Sequence, residues 1–131
     1  MSLVTAMKRV SSMSDRHLPW FKFFARDFLA DQNVILMTPA ERGLYITLQC
    51  SFWLAGSIPT DPTMLARLCQ TSSDEFLMLW PAVEPYFEER NGRLFHRELD
   101  MQRKGAIEAW QAKSAGGRKG AERRWGKVEI G

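Results

Sequence analysis

The sequence predicts a mainly α-helical domain with one small β-hairpin and a basic helical arm at its carboxy-terminal end. Three observations predict it. Helix-start signatures recur at Thr38, Asp61 and Ser72–Ser73, an Asn91-Gly92 pair separates two short apolar runs, and positive charge is concentrated in the last quarter of the chain. At 131 residues and 45% apolar composition, the chain suits one domain with a real core rather than two domains or a disordered coil.

Residues 1–16 lack apolar periodicity and are expected to form a loose leader without a function of their own. A domain over residues 17–112 follows, opening on "PWFKFFARDFLAD", whose aromatics fit two periods. Phe21, Phe24 and Phe28 suit a helix face, while Trp20 to Phe24 suit an extended segment. "TPAERGLYITLQCSFWLAG" carries the clearest helix signature. Thr38 and Glu41 can exchange side-chain-to-backbone hydrogen bonds, Pro39 sits where a missing N–H costs nothing, and Gly56 tolerates a left-handed cap. With Leu44, Tyr45, Leu48, Phe52 and the adjoining Ile46, Cys50 and Trp53, this helix is apolar almost all round and is expected at the centre of the core.

Ile58 then suits a very short strand. Asp61 before Pro62 starts a second helix with Met64, Leu65, Leu68 and Cys69 on one stripe, and Ser72 or Ser73 starts a third, with Phe76, Leu79, Trp80 and Val83 on another. Pro81 is expected to kink the third helix and Pro85 to end it. "YFEERNGRLFHREL" reads as a hairpin around Asn91-Gly92, because that pair readily takes positive φ at both turn positions. From Arg97 the chain turns helical again, with an Asp100–Lys104 pair four residues apart. Gly116-Gly117 is expected to interrupt that last helix and to release residues 113–131 as a separate arm.

Helix, short strand, helix, helix, hairpin, helix is the order of a winged helix, in which a helix-turn-helix is followed by a β-hairpin wing. A plain helical bundle with an incidental turn is the alternative.

Several stretches, taken in order, resemble a family. "PWFKFFARDFLAD", "TPAERGLYITL", Trp53, "GSIPTD" at 56–61, "LARL" at 65–68 and "NGRLFHREL" are similar to the YdaU-like family of bacterial and prophage proteins, over about residues 19–100. The tail resembles the "GRKGAxxRW" segments that follow that domain. The resemblance implies a winged-helix module related to those of phage replisome organisers, and a role around the initiation of DNA replication. Phe24 stands where the family usually carries a tyrosine.

Charge narrows the function classes. Residues 1–100 carry 10 Lys and Arg against 12 Asp and Glu, whereas residues 101–127 carry 8 against 2, so the positive excess belongs to the carboxy-terminal end. If residues 118–127 are helical, Lys119, Arg123 and Lys127 fall on one face with Arg118 and Arg124 beside them, and Lys113 leads into the stripe. Such a stripe can neutralise nucleic-acid phosphates without reading sequence, and Trp125 can stack on an unpaired base. Arg93 in the wing adds a weaker contact, offset by Glu88 and Glu89. The third helix starts Asp74-Glu75 and has no Lys or Arg between Arg67 and Arg90, so it is not expected to dock in a major groove.

Catalysis has little support. His17, His96, Cys50 and Cys69 show no metal-ligand spacing, and Asp27 and Asp31 suit turn and cap roles better than a metal pair. A phosphate loop fails on spacing, since Ala121 stands five before Gly126 and Val128 follows Lys127. The expectation is a non-enzymatic protein with no cofactor and no metal. Both cysteines lie in apolar periodic segments and no secretory signal precedes them, which suggests buried thiols and a cytoplasmic location. Lys22, Arg26, Asp27 and Asp31 exclude the aromatic stretch as a membrane span. Two functions follow: a replication accessory whose arm binds nucleic acid, with replication proteins or a second copy as further partners, or a protein-interaction adaptor for a helicase loader or for self-association, using Trp20, Phe21 and Phe23.

Overall fold

A computed structural model describes residues 18–130, with side chains described as far as Ala115. The opening aromatic segment is irregular through Phe24 and helical over Ala25–Ala30 (α1), so that of Phe21, Phe24 and Phe28 only Phe28 lies on a helix, and a second short helix, Gln32–Leu36 (α2), starts where Asp31 Oδ1 accepts the N–H groups of Asn33 and Val34. That capping role is the one expected of Asp31.

Helix α3 (Pro39–Ala55) forms as its sequence dictates. Thr38 Oγ1 accepts from the Glu41 N–H at 3.2 Å, the Glu41 carboxylate accepts from the Thr38 N–H at 2.7 Å, and Gly56 ends the helix at φ 85°. Strand β1 (Ile58–Pro59), helix α4 (Pro62–Leu68) and helix α5 (Ser73–Val83) follow, the last two capped by Asp61 and Ser72. Pro81 lies inside α5, and Pro85 sits in the 3₁₀ turn Glu84–Tyr86 beyond it.

Strands β2 (Phe87–Arg90) and β3 (Arg93–His96) make the hairpin, with Asn91 at φ 53° and Gly92 at φ 76° in its turn. β3 lies between β1 and β2, so the sheet has three antiparallel strands in the order β1-β3-β2, with Ile58 opposite Leu94 and Phe87 opposite His96. Alternation on β3 turns Leu94 and His96 inward. The architecture is therefore mainly helical with a small three-stranded antiparallel sheet. α3 packs against α4, α5, the sheet and the last helix, and Leu48, Phe52, Ile58, Leu65, Phe76 and Val83 form the centre of the core.

That last helix, α6 (Arg97–Ile130), runs for 34 residues without a break. The expected interruption at Gly116-Gly117 does not occur. Once a helix is nucleated on the domain, each further residue needs only propagation, and the flanking Ala, Lys, Arg and Glu residues offset glycine's cost. The Asp100–Lys104 ion pair forms at 3.1 Å. A second correction concerns the thiols: Cys50 is exposed, because α3 turns its Leu44–Leu48–Phe52 face inward and position 50 outward, and Cys69, at the carboxy-terminal end of α4, is half-buried. Both are free, and desolvation by neighbouring side chains raises both thiols, Cys69 to about 11. Among the described residues no helix is long and apolar enough to cross a membrane.

Candidate functional site

Tyr45 and Gln49 are four residues apart on α3 and therefore share one face. That face meets His96, brought inward at the end of β3, just where α6 begins. His96 Nδ1 accepts the Leu99 backbone N–H at 3.2 Å, one of the donors that the first turn of a helix leaves unpaired. The ring proton consequently sits on Nε2, which donates to Tyr45 Oη at 2.8 Å. Gln49 Nε2 lies 3.4 Å from the same nitrogen, long for a hydrogen bond and donor facing donor. Gln49 Oε1 is buried with no hydrogen-bond partner.

Burial sets the charge states. His96 is 3% exposed, and desolvation lowers its pKa to about 4, so the imidazole is neutral at pH 7. Desolvation raises the Tyr45 phenol well above its ordinary value, with Tyr86 and the Glu98 and Asp31 carboxylates adding to the shift. Tyr86 is raised by desolvation and by its 2.8 Å hydrogen bond to Asp31 Oδ2. Neither the imidazole nor the phenols change charge near pH 7.

These groups floor a cavity of about 370 Å³. Its outer wall is the aromatic segment, including Phe23, Phe24 and Asp27, and its far side is the start of α6, with Glu98 and Gln102. The wall is pinned to α6, since Gln102 Oε1 accepts the Lys22 N–H at 2.7 Å and Gln102 Nε2 donates to the Lys22 carbonyl at 3.3 Å. Among the described residues no three His, Cys, Asp or Glu side chains stand close enough to hold a metal ion.

The residues singled out in the sequence lie elsewhere. Trp20 is 67% and Phe23 49% exposed, whereas Phe21 is half-buried with its ring 5.6 Å from that of Trp53. Arg93 is stitched to β1's approach, donating to Ser57 Oγ at 3.0 Å and to the Ser57 carbonyl at 3.3 Å. The other wing cations are also paired: Arg90 bonds Asp100 and Glu88 and covers the Phe95 ring, and Arg97 pairs with Glu88. Lys113 is exposed on α6. Arg118, Lys119, Arg123, Arg124, Trp125 and Lys127 lie beyond the described side chains, on a stretch whose backbone is helical. His17 and the leader expected over residues 1–16 lie outside the described residues, and Leu18 is held by its carbonyl, which accepts from Trp53 Nε1 at 2.8 Å.

Sequence reasoning missed the Tyr45–Gln49–His96 group. Its one local signal was Gln49, a neutral polar residue on an otherwise apolar helix face.

Fold and site together define an α-rich domain built on one buried helix, with a small antiparallel sheet and a long helical extension. A family model described as "Protein of unknown function (DUF1376)" matches residues 19–102, and the chain belongs to that family. Neither a curated protein nor a solved structure matches it.

Proposed function

We propose that this chain is a non-enzymatic replication accessory of the prophage, YdaU-like type, with a winged-helix scaffold and a basic arm that contacts nucleic-acid phosphates. The winged-helix reading is supported by the order α3, β1, α4, α5, β2, β3 and by the central place of β3 in the sheet. The observation that carries the functional reading is the segregation of charge along α6. Residues 101–127, with 8 basic against 2 acidic side chains, lie on one continuous helix that projects from a mildly acidic domain.

Paired wing arginines and the Asp74-Glu75 start of α5 both argue for the arm over the wing or α5 as the main contact. The test is an anisotropy titration of mixed-sequence single- and double-stranded oligonucleotides at several salt concentrations, comparing the whole chain with one ending at Ala115. Truncation removes five cations, and each phosphate neutralised contributes roughly 0.9 to the log–log salt slope. Binding should weaken and the slope should flatten. Unchanged affinity and slope would refute the arm's role.

A second reading, a protein-interaction adaptor, is favoured by one specific observation. Large apolar side chains are exposed on neighbouring stretches of chain: Trp20, Phe24 and Leu29 along the aromatic segment, Leu36 at the end of α2, and Leu77 and Met78 on α5, Met78 80% exposed. Sedimentation velocity across a wide concentration range tests its self-association form. Reversible dimerisation lost in Trp20→Ala/Phe23→Ala supports it, and a concentration-independent monomer counts against it.

A further inference from the structure

We propose that an apolar groove between α2 and α5 docks the basic arm of a second copy of this chain. Leu36, Met37, Pro81, Ala82, Pro85 and Tyr86 line the groove, which encloses about 310 Å³. Met78 stands three residues before Pro81 on α5 and extends the apolar side by one turn. Leu36 and Met78 are each 80% exposed, more than any other large apolar side chain among the described residues. Their apolar surface gains by being covered.

Charge selects the occupant. Glu41, Asp74, Glu75 and Glu84 stand on the elements around the groove, and none of them forms a salt bridge among the described residues. The one cation of these elements, Arg42, donates to the Val34 and Ile35 carbonyls, so the surroundings stay acidic. An apolar groove in acidic surroundings suits a basic amphipathic helix. A nucleic-acid phosphate or an anionic lipid would meet four carboxylates there.

The distal part of α6 has that character. Ala121, Trp125 and Val128 recur at intervals of four and three on a helical backbone, with Arg118 and Arg124 flanking them by the same spacing. Lys119, Arg123 and Lys127 fall at positions on the opposite side of the helix, so the contact is separate from the phosphate stripe. The groove lies beyond reach of its own arm. Glu41 marks the groove's end of α3, whereas α6 passes the other end, where Arg103 donates to the Trp53 carbonyl, and continues past it without a break. The arm that fills the groove therefore comes from another copy, and the pair closes as a dimer when each arm fills the other's groove.

Sedimentation velocity of full-length chains without nucleic acid tests it. The groove variant Leu36→Ser/Met78→Ser and the arm variant Trp125→Ala/Val128→Ala should each weaken dimerisation about tenfold or more. Since Leu36 and Met78 are exposed, the groove variant should keep its urea midpoint. An equimolar mixture of the two variants should associate more tightly than either alone, because one supplies an intact arm and the other an intact groove. Both variants keep the cations assigned to phosphates, so oligonucleotide binding and dimerisation fail separately. A concentration-independent monomer, a dimer that survives either variant, or a mixture no tighter than its components overturns the proposal. Loss of the dimer in Trp20→Ala/Phe23→Ala but not in the groove variant would move self-association to the aromatic segment and overturn it as well.

Discussion

Helix α3 spans 17 residues, is capped at both ends and buries seven side chains, whereas α6 spans twice that length and fully buries only Leu99 and Asp100 among its described side chains. α3 is held by what surrounds it. α6 is anchored over its first three turns, by the Leu99 contact to His96, the Asp100 link to Arg90, the Arg103 bond to the Trp53 carbonyl and the packing of Ala106 and Ile107 on the core, and its distal part continues by backbone propagation. Two helices of one chain therefore answer to different physics: burial in the first, local propagation in the second. They should fail under different perturbations.

The largest effect should come from the core side of that contrast. Phe52 is fully buried, so Phe52→Ala should cost about 3–5 kcal/mol, read from the urea midpoint of the whole domain. Met101→Ala on the exposed side of α6 should stay within about 0.5 kcal/mol. Comparable losses at the two positions would erase the distinction.

A smaller effect marks where α6 still belongs to the core. Because desolvation lowers folded His96 to about 4, while an unfolded histidine titrates near 6.5, the unfolded chain takes up the proton first as pH falls. The stabilisation is complete above pH ~6.5 and is lost between there and the folded value, amounting to about 2 kcal/mol by pH 5. Urea titrations at pH 7 and pH 5 should show this decline. His96→Asn should flatten it, whatever its effect on stability at pH 7.

Next in size is the joint between the two helices. Arg103 of α6 donates from Nε to the Trp53 carbonyl at 2.8 Å, and its guanidinium lies over Gly56, where an added Cβ would stand 2.8 Å from Nη1. Gly56→Ala meets both that approach and a left-handed φ of 85°, and should cost about 1–2 kcal/mol in thermal or urea unfolding. Gly56→Asn should cost less for its backbone, since asparagine tolerates that region better.

The same contrast explains what could be read from the sequence. Capping at Thr38, Asp61 and Ser72, the left-handed Gly56 and the Asn91-Gly92 turn are signals complete within a few residues, and each appears where it was expected. The cavity is not local: Tyr45 and His96 stand 51 positions apart, and Tyr86 and Asp31 stand 55 apart, so only the fold brings them together. Apolar pattern alone also could not choose the outer face of α3, which is why Cys50 was misplaced inward. At Gly116-Gly117 the error ran the other way, since a correct local cost was applied without the helix that precedes it.

That pair gives the smallest effect on domain stability and the sharpest test of α6. Each glycine in a helix interior costs roughly 1 kcal/mol relative to alanine, a cost borne here by propagation rather than by packing. Gly116→Ala/Gly117→Ala should therefore raise the helical signal in far-ultraviolet circular dichroism and slow amide exchange along residues 113–127, while leaving the urea midpoint of the domain unchanged. A rise in the midpoint would mean that the distal helix is coupled to the core. No gain in helicity would mean that propagation from the domain already carries the helix past the glycines in full. If the arm binds phosphates as a helix, the stiffened variant should also bind oligonucleotides more tightly at equal salt slope, because less conformational freedom is left to lose on binding.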